Sequence, residues 1–485
     1  MKRSADNALG IYISIPFCRS KCTYCNFASG VFPASDHARY VERVIADLAG
    51  ARAWAGSVGA ELPRRVDTVY LGGGTPSLLA PELIAQLFVA MRAEFDLDRD
   101  AEITVECAPG QLTDATLGAM TAAGVNRVSL GVQSFVDSEA HASGRLHSRA
   151  VVEEDLKRLC AAGVANLSVD LIAGLAGQTF ASWEESLAAL VETEVPHASV
   201  YMLEVDEDSR LGREVLKGGA RYRAGLVPNE GAIAQMYERA IERLDAAGLR
   251  QYEISNFSRP GRESRHNLRY WERRPYLGVG LDASSMLLAA GHVSGCDRGT
   301  HPVGGSRAEA ENHSSGDLLI PQKEMSCTVP TGLRSQSEES AFPTLKRGAN
   351  KHCASGALDG TVLIHSFAAP VGEFVLRTTT TDDLQAYLTG SGAMEVEWLG
   401  AARQHEEAWF LGLRMNAGVD VAALRAEFGE ELVGPAMETV QRLAEDGLLV
   451  RDGGRVRLTA RGRLISNEVF QEFLQPETAE TSRGA

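Results

Sequence analysis

Short apolar runs rich in β-branched residues alternate with amphipathic stretches along the first two hundred residues. The runs 10–15, 66–71, 102–106, 127–131, 167–172 and 199–203 predict strands. The stretches 36–52, 81–95, 113–123, 151–162 and 180–192 predict the helices between them. Regular strand–helix alternation builds parallel βα units. The six strands suit an α/β fold with a partial (β/α)6, TIM-like barrel open on one side. A doubly wound sheet is the second reading. In both, ligand-binding residues belong at the C-terminal ends of the strands.

The pattern changes past residue 260. Residues 1–260 read as the barrel, and 261–286, which contain His266-Asn267-Leu268-Arg269-Tyr270-Trp271, as a segment completing its core. Between 287 and 377 Ser, Gly, Pro, Asn and charged residues crowd together and apolar periodicity nearly vanishes, which predicts a low-order insertion. Its Cys296, Cys327 and Cys353, with His292, His301, His313 and His352, match no compact metal pattern. Periodicity returns over 378–475. There 406–414, 419–428 and 433–446 predict helices, 448–459 a hairpin turning at Gly453-Gly454, and 460–474 a closing helix. Helices followed by a hairpin resemble a winged-helix-like domain, and 476–485 reads as a disordered tail. Glu430, Glu431, Glu438 and Asp446 dilute the arginines of this domain, so packing or partner docking is expected of it rather than DNA binding.

Charge and hydropathy narrow the class. A formal net charge of -16 over 485 residues carries no general basic footprint for nucleic acid. No apolar run approaches the roughly 20 residues of a membrane span, and the run 8–15 is too short and interrupted for a secretory h-region. A soluble, cytoplasmic protein in a reducing compartment is expected, its thiols serving as metal ligands or buried side chains.

Candidate chemistry begins directly after the first predicted strand. Cys18, Cys22 and Cys25 stand in C-x3-C-x2-C spacing. Three thiolates on one loop can hold three irons of a [4Fe–4S] cube and leave the fourth without a protein ligand. A zinc loop competes with this reading, but a structural zinc site wants a fourth Cys or His close by. The nearest downstream candidates, His37 and Cys107, lack ligand-pair spacing. After the second strand comes Gly72-Gly73-Gly74-Thr75-Pro76, where a ligand can approach the backbone closely. Such a turn suits the amino and carboxylate ends of an amino-acid-like cofactor. Asp170 lies in an otherwise apolar run, where an unpaired carboxylate would be costly.

The cysteine triplet with an aromatic before its last Cys, followed by Gly-Gly-Gly-Thr-Pro, resembles the radical S-adenosylmethionine superfamily. The chain is similar to the branch that holds oxygen-independent coproporphyrinogen III oxidase and the heme chaperone HemW. That branch pattern continues in Val105-Glu106, Leu130-Gly131-Val132-Gln133-Ser134-Phe135, Arg145, Val169 through Leu175, and His266 through Trp271. The resemblance implies a [4Fe–4S] cluster on Cys18, Cys22 and Cys25. It also implies S-adenosylmethionine held by Tyr12, Gly73, Gly74, Thr75, Glu106, Gln133, Arg145 and Asp170. Glu106 would accept from the methionyl ammonium, Arg145 would pair with the carboxylate, and Gln133 and Asp170 would meet the adenosine.

Phe27 stands where the oxidase carries a further Cys, and the few residues ahead of Gly10 show no trace of that enzyme's N-terminal extension. Both departures favour a heme chaperone that delivers heme to acceptor proteins over an enzyme that decarboxylates porphyrinogen propionates. His266 is then a candidate axial ligand for heme, with Tyr270, Trp271 and Tyr276 as apolar faces; a packing cluster at one barrel end is the competing reading. The implied partners are heme or a porphyrinogen, a flavodoxin-type electron donor, and a heme-acceptor protein that can itself be membrane-associated. Nucleic acid is not expected.

Overall fold

A computed structural model describes residues 8–290 and 374–474. The predicted alternation is present as β1 (Leu9–Ile15), α1 (Ser35–Ser57), β2 (Arg65–Gly73), α2 (Pro81–Glu94), β3 (Asp96–Cys107), α3 (Asp114–Ala122), β4 (Arg127–Gln133), α4 (Arg149–Ala161), β5 (Asn166–Ala173), α5 (Phe180–Glu192) and β6 (His197–Met202). Local chemistry sets several boundaries. Pro81 opens α2, where its missing N–H costs nothing. The Thr113 side chain caps α3, and Thr179 and Ser182 form a capping box on α5.

β1 to β6 lie side by side in chain order, all parallel. After α6 (Glu230–Ala246), the strands β7 (Arg250–Glu253) and β8 (Asn256–Ser258) add an antiparallel edge beside β6. The helix α7 (Arg265–Trp271) then leads into β9 (Tyr276–Gly280), which returns to the opposite edge and pairs parallel with β1. β10 (Ser284–Ala289), β11 (Val375–Thr379) and β12 (Glu395–Leu399) continue antiparallel, and the two-residue strand Ala60–Glu61 also pairs with β10. Among the described residues the outermost strands β12 and β7 do not pair, so the barrel stays open.

The two faces of this sheet are chemically opposite. Ile11, Ile13, Ile15, Val69, Leu71, Ile103, Val105, Val128, Leu130, Val132, Val169, Leu171 and Val200 are buried in the main apolar core with residues of α1 to α5. The alternate positions Tyr70, Thr104, Glu106, Arg127, Ser129, Ser168, Asp170, His197, Ser199 and Tyr201 line a polar cavity inside the barrel. A period of two places these sets on opposite faces. The lumen of a (β/α)8 barrel is ordinarily filled by branched apolar side chains; here it is polar.

Two expectations change in detail. The edges of the stretch read as a low-order insertion are strands, since Leu287 and Leu288 pair with Leu376 and Val375. Backbone hydrogen bonding between two strands of a buried sheet overrides the weak local pattern. Residues 291–373, with their cysteines and histidines, lie outside the described residues, as does the tail from 475. The closing helix is two short ones, Ala460–Leu464 and Ser466–Gln471, broken at Ile465. The break sends Leu464 to the barrel core, while Val469 and Phe470 join the C-terminal one.

That second core belongs to α8 (Ala401–Arg414), β13 (Val419–Asp420), α9 (Val421–Phe428), α10 (Glu430–Glu445), β14 (Leu449–Asp452) and β15 (Arg455–Leu458), in winged-helix order. Buried Trp409 stacks on Phe473 with ring centroids 4.9 Å apart. Arg273, just past α7, grips Glu427 through two bonds of 2.8 and 3.0 Å, and Arg377 on β11 bridges to Glu407 at 2.7 Å. These ties hold the C-terminal domain against the α7 end of the barrel.

Candidate functional site

The loop after β1 is pinned from several sides. Cys18 N–H donates to Gly30 O at 2.8 Å, Thr23 N–H to Ser143 O at 2.9 Å, and Lys21 Nζ to Phe27 O and Ser29 O at 2.6 and 2.7 Å. Cys22 is buried and Cys18 and Cys25 are half-buried free thiols. Thr75 Oγ1 lies 3.9 Å from the Cys18 sulfur, Ser29 Oγ 3.8 Å from Cys25, and Arg145 Nη1 3.5 Å from Cys22. Burial pushes the Cys18 thiol up, and the neighbouring sulfurs of Cys25 and Cys22 add to it. A thiol that resists ionisation when bare suits a cationic iron cluster, which supplies the missing counter-charge. Among the described residues no three His, Cys, Asp or Glu side chains converge on a single ion. A cube takes each thiolate on a different iron and needs no such convergence.

The glycine turn lies against this loop. Thr75 N–H donates to Phe17 O at 2.8 Å, and a Cβ on Gly74 would stand 2.7 Å from Ile15 O, so only glycine permits this approach. Gly73 and Thr75 flank it. From the barrel side, Arg145 also donates to Gly131 O, and Gln133 Nε2 packs over the same glycine. Arg145 remains charged: burial opposes this, but the Tyr24 hydroxyl and the Cys22 sulfur hold its proton more strongly. Gln133 adopts φ +70°, in the left-handed region unusual for a residue with a side chain, and its buried Oε1 has no partner. An unpaired buried amide oxygen is costly to keep; a polar ligand would satisfy it.

Glu106 and Asp170 share the polar cavity below. Burial pushes Glu106 up to about 7, with the Tyr70 hydroxyl drawing it down, Asp170 adding to the rise and the Gly73 amide drawing it down. A ligand ammonium would restore its ionised form. Asp170 is likewise raised by burial, and Ser129 Oγ lies 3.0 Å from both its oxygens. The ring of Tyr12 sits 6.1 Å from that of Tyr70. The structure therefore joins Cys18, Cys22, Cys25, Gly73, Gly74, Thr75, Gln133 and Arg145 in one contact chain at the C-terminal strand ends, with Tyr12, Glu106 and Asp170 beneath. Its donor set fits an amino-acid-bearing cofactor beside an iron–sulfur cluster: a carboxylate for an ammonium, a guanidinium for a carboxylate, and an orphan amide oxygen.

His266, expected from the sequence either as a candidate heme ligand or as part of a packing cluster, is not part of this group and is packed at one barrel end. The ring is 1% exposed, with Nδ1 3.0 Å from Thr68 Oγ1 and Nε2 2.8 Å from Tyr270 Oη. Both nitrogens are occupied, so iron could be ligated only after these bonds open. Burial, aided by Arg269, holds the imidazole neutral with its pKa down at about 3. Glu102 caps α7 by accepting from the Arg265 and His266 amides at 3.1 and 3.0 Å. Fully buried Arg269 donates to Ala8 O, Pro275 O and Asp67, and a Cβ on Gly10 would strike its side chain. This segment is the floor of the barrel.

Tyr70, Arg127 and Ser129, which line this cavity, are not among the residues expected from the sequence. The available signal was the period of two: Thr68-x-Tyr70-x-Gly72, Arg127-x-Ser129-x-Gly131-x-Gln133 and Ser168-x-Asp170 place small or polar residues at every second position of otherwise apolar strands.

The Radical SAM superfamily model matches residues 12–190 and the HemN C-terminal domain model residues 402–465. The heme chaperone HemW of Bacillus subtilis is 29% identical over 464 residues, 96% of this chain and 98% of its own. That of Escherichia coli is 33% identical over 298 residues, 61% of this chain and 75% of its own. The solved coproporphyrinogen III oxidase (HemN) of Escherichia coli has a TM-score of 0.68 at 18% identity, covering 97% of this chain and 91% of that one, which is a likeness of fold. The chain belongs to the radical SAM superfamily and, within it, to the family of the heme chaperone HemW.

Proposed function

We propose that this chain binds a [4Fe–4S] cluster through Cys18, Cys22 and Cys25, holds S-adenosylmethionine beside it, and serves as a heme chaperone that passes heme to an acceptor protein. The observation that carries the cofactor reading is the contact chain from the cysteine loop through Gly74 and Arg145 to the orphan Gln133 Oε1. Gly73, Gly74 and Thr75 would cradle the methionyl end, Glu106 would take its ammonium and Arg145 its carboxylate, with Gln133, Asp170 and Tyr12 around the remainder. When bound, the cluster and S-adenosylmethionine supply one-electron chemistry, for which a flavodoxin-type protein is a suitable donor. The chain's own residues orient the cofactor and hold charge against it.

The heme reading rests on the relatives named as heme chaperones and on Phe27, 58% exposed where the oxidase would have another Cys. Because His266 is closed, the floor of the barrel supports the fold, and the heme ligand is sought elsewhere. No described helix is long and apolar enough to cross a membrane, so an acceptor in a membrane would be met from outside the bilayer.

Anaerobic reconstitution should give about four irons and four sulfides per chain. Heme titration of that protein should produce a Soret band, and His266→Ala should leave the band's position unchanged. Incubation with reductant, S-adenosylmethionine and coproporphyrinogen III should yield no protoporphyrinogen. Its formation would overturn the chaperone reading in favour of the oxidase.

A further inference from the structure

The carboxylate proposed for the cofactor ammonium is itself held by a residue outside the proposed binding set. Tyr70 Oη donates to Glu106 Oε1 at 2.7 Å. The Tyr70 ring is wedged between Tyr12, at 6.1 Å, and the ring of His266, at 5.3 Å and 29°. His266 is fixed in turn by Thr68 and Tyr270. Gly72 supplies the space: a Cβ there would stand 2.8 Å from Tyr70 Cε1 and 2.9 Å from Glu106 Oε1. Strand register produces the alignment, since Tyr12 pairs with Tyr70 and Tyr70 with Thr104, two positions before Glu106.

We propose that Tyr70, seated on His266, is the positioning residue that aims Glu106 at a cationic ligand group, so that the barrel floor acts on the cofactor site through a stacked ring and one hydrogen bond. This rests on the reading of Glu106 as the ammonium acceptor. The groups electrostatically felt with Glu106 are Tyr70 on β2, Tyr12 on β1, Asp170 on β5, Tyr201 on β6, Tyr270 on α7 and Cys107 on its own strand. The tyrosines and Cys107 are all pushed upward by burial first and stay protonated near neutrality, which leaves Glu106 and Asp170 to titrate. The Tyr70 hydroxyl lowers the Glu106 pKa, so its removal raises it. An ammonium binds the ionised form, so affinity is full above the free Glu106 pKa and falls as pH drops through it.

The test uses the reconstituted full chain and S-adenosylmethionine itself, with equilibrium dialysis and the electron paramagnetic resonance change of the reduced cluster as readouts. In Tyr70→Phe, binding should weaken about ten-fold near neutral pH, the order of one charge-assisted hydrogen bond. The pH at which binding is lost should move upward, and the gap to the parent should narrow at alkaline pH. Glu106→Gln should remove the pH step. His266→Phe, which keeps a stacked ring, should stay closer to the parent than His266→Ala. An unchanged affinity and pH profile in Tyr70→Phe would overturn the inference alone. So would a loss equal at every pH, which is the mark of general loosening, or a step that persists in Glu106→Gln and so belongs to Asp170. A parent protein with an intact cluster that binds no S-adenosylmethionine would instead bring down the cofactor reading, and this inference with it.

Discussion

The two ends of the barrel lumen are both polar, yet they differ in how far their polar groups are satisfied. At the floor every hydrogen-bonding atom of His266 is met, Glu102 caps two amides of α7, and the Arg269 guanidinium donates to Thr68, Ala8, Pro275 and Asp67. Near the cofactor end Gln133 Oε1 is buried without a partner, and Glu106 is held near the edge of protonation by burial. Polar atoms that are met stabilise the bare chain, whereas an orphan one keeps capacity for a ligand. Residue type does not separate the two, since a histidine and an arginine can serve either end. The state of their partners does.

Breaking each end should therefore give different signatures. The largest effect is expected at the cysteine loop: Cys22→Ala should abolish cluster assembly, taking iron from about four per chain to near zero, as read by iron assay and absorbance after reconstitution. At the floor, Asp67→Ala leaves buried Arg269 without its carboxylate, together with Arg274 at 2.7 Å. A loss of about 3–5 kcal/mol is expected, measured by denaturant unfolding, with S-adenosylmethionine affinity of the folded fraction nearly unchanged.

Acid should destabilise the bare chain through its buried histidines at both ends. Burial lowers His266 to about 3 and His147 to about 4, and holds His197 well below its usual value. A depressed histidine binds its proton only in the unfolded chain, so stability falls as pH drops below about 6.5, by up to ~1.4 kcal/mol per pH unit for each group. Glu106, raised to about 7, works in the opposite sense over the same window and offsets one histidine. Thermal unfolding followed from neutral pH down should show a net decline, steeper in Glu106→Gln.

The smallest effect sharpens the comparison most. Gln133→Met removes an unpaired amide, so the bare protein should gain on the order of 1 kcal/mol while S-adenosylmethionine binding weakens several-fold. A loss of stability instead would assign Gln133 to the structural network.

Much of the barrel was legible because its information is local. The period of two in the strands, the helical stretches between them and the turn at Gly72 to Pro76 each concern residues a few positions apart, and the structure has them where the pattern puts them. The cysteine spacing likewise predicts a cluster loop from neighbours alone. His266 shows the limit. Its residue type suits iron, but its availability depends on Thr68, 198 positions away, and its ring contact on Tyr70. The arrival of β9 beside β1 is of the same kind, an edge filled by a strand more than 260 positions later in the chain.

The chain's own pattern thus sets the element order, the apolar face turned to the helices and the presence of a thiol loop beside a glycine turn, since periodicity and spacing are properties of adjacent residues. Tertiary structure alone decides which polar side chains inside the barrel are already satisfied and which are left open. Satisfaction is a contact between distant strands: Tyr70 reaches Glu106 across 36 positions, His266 is closed from two sides, and Gln133 is left without a partner.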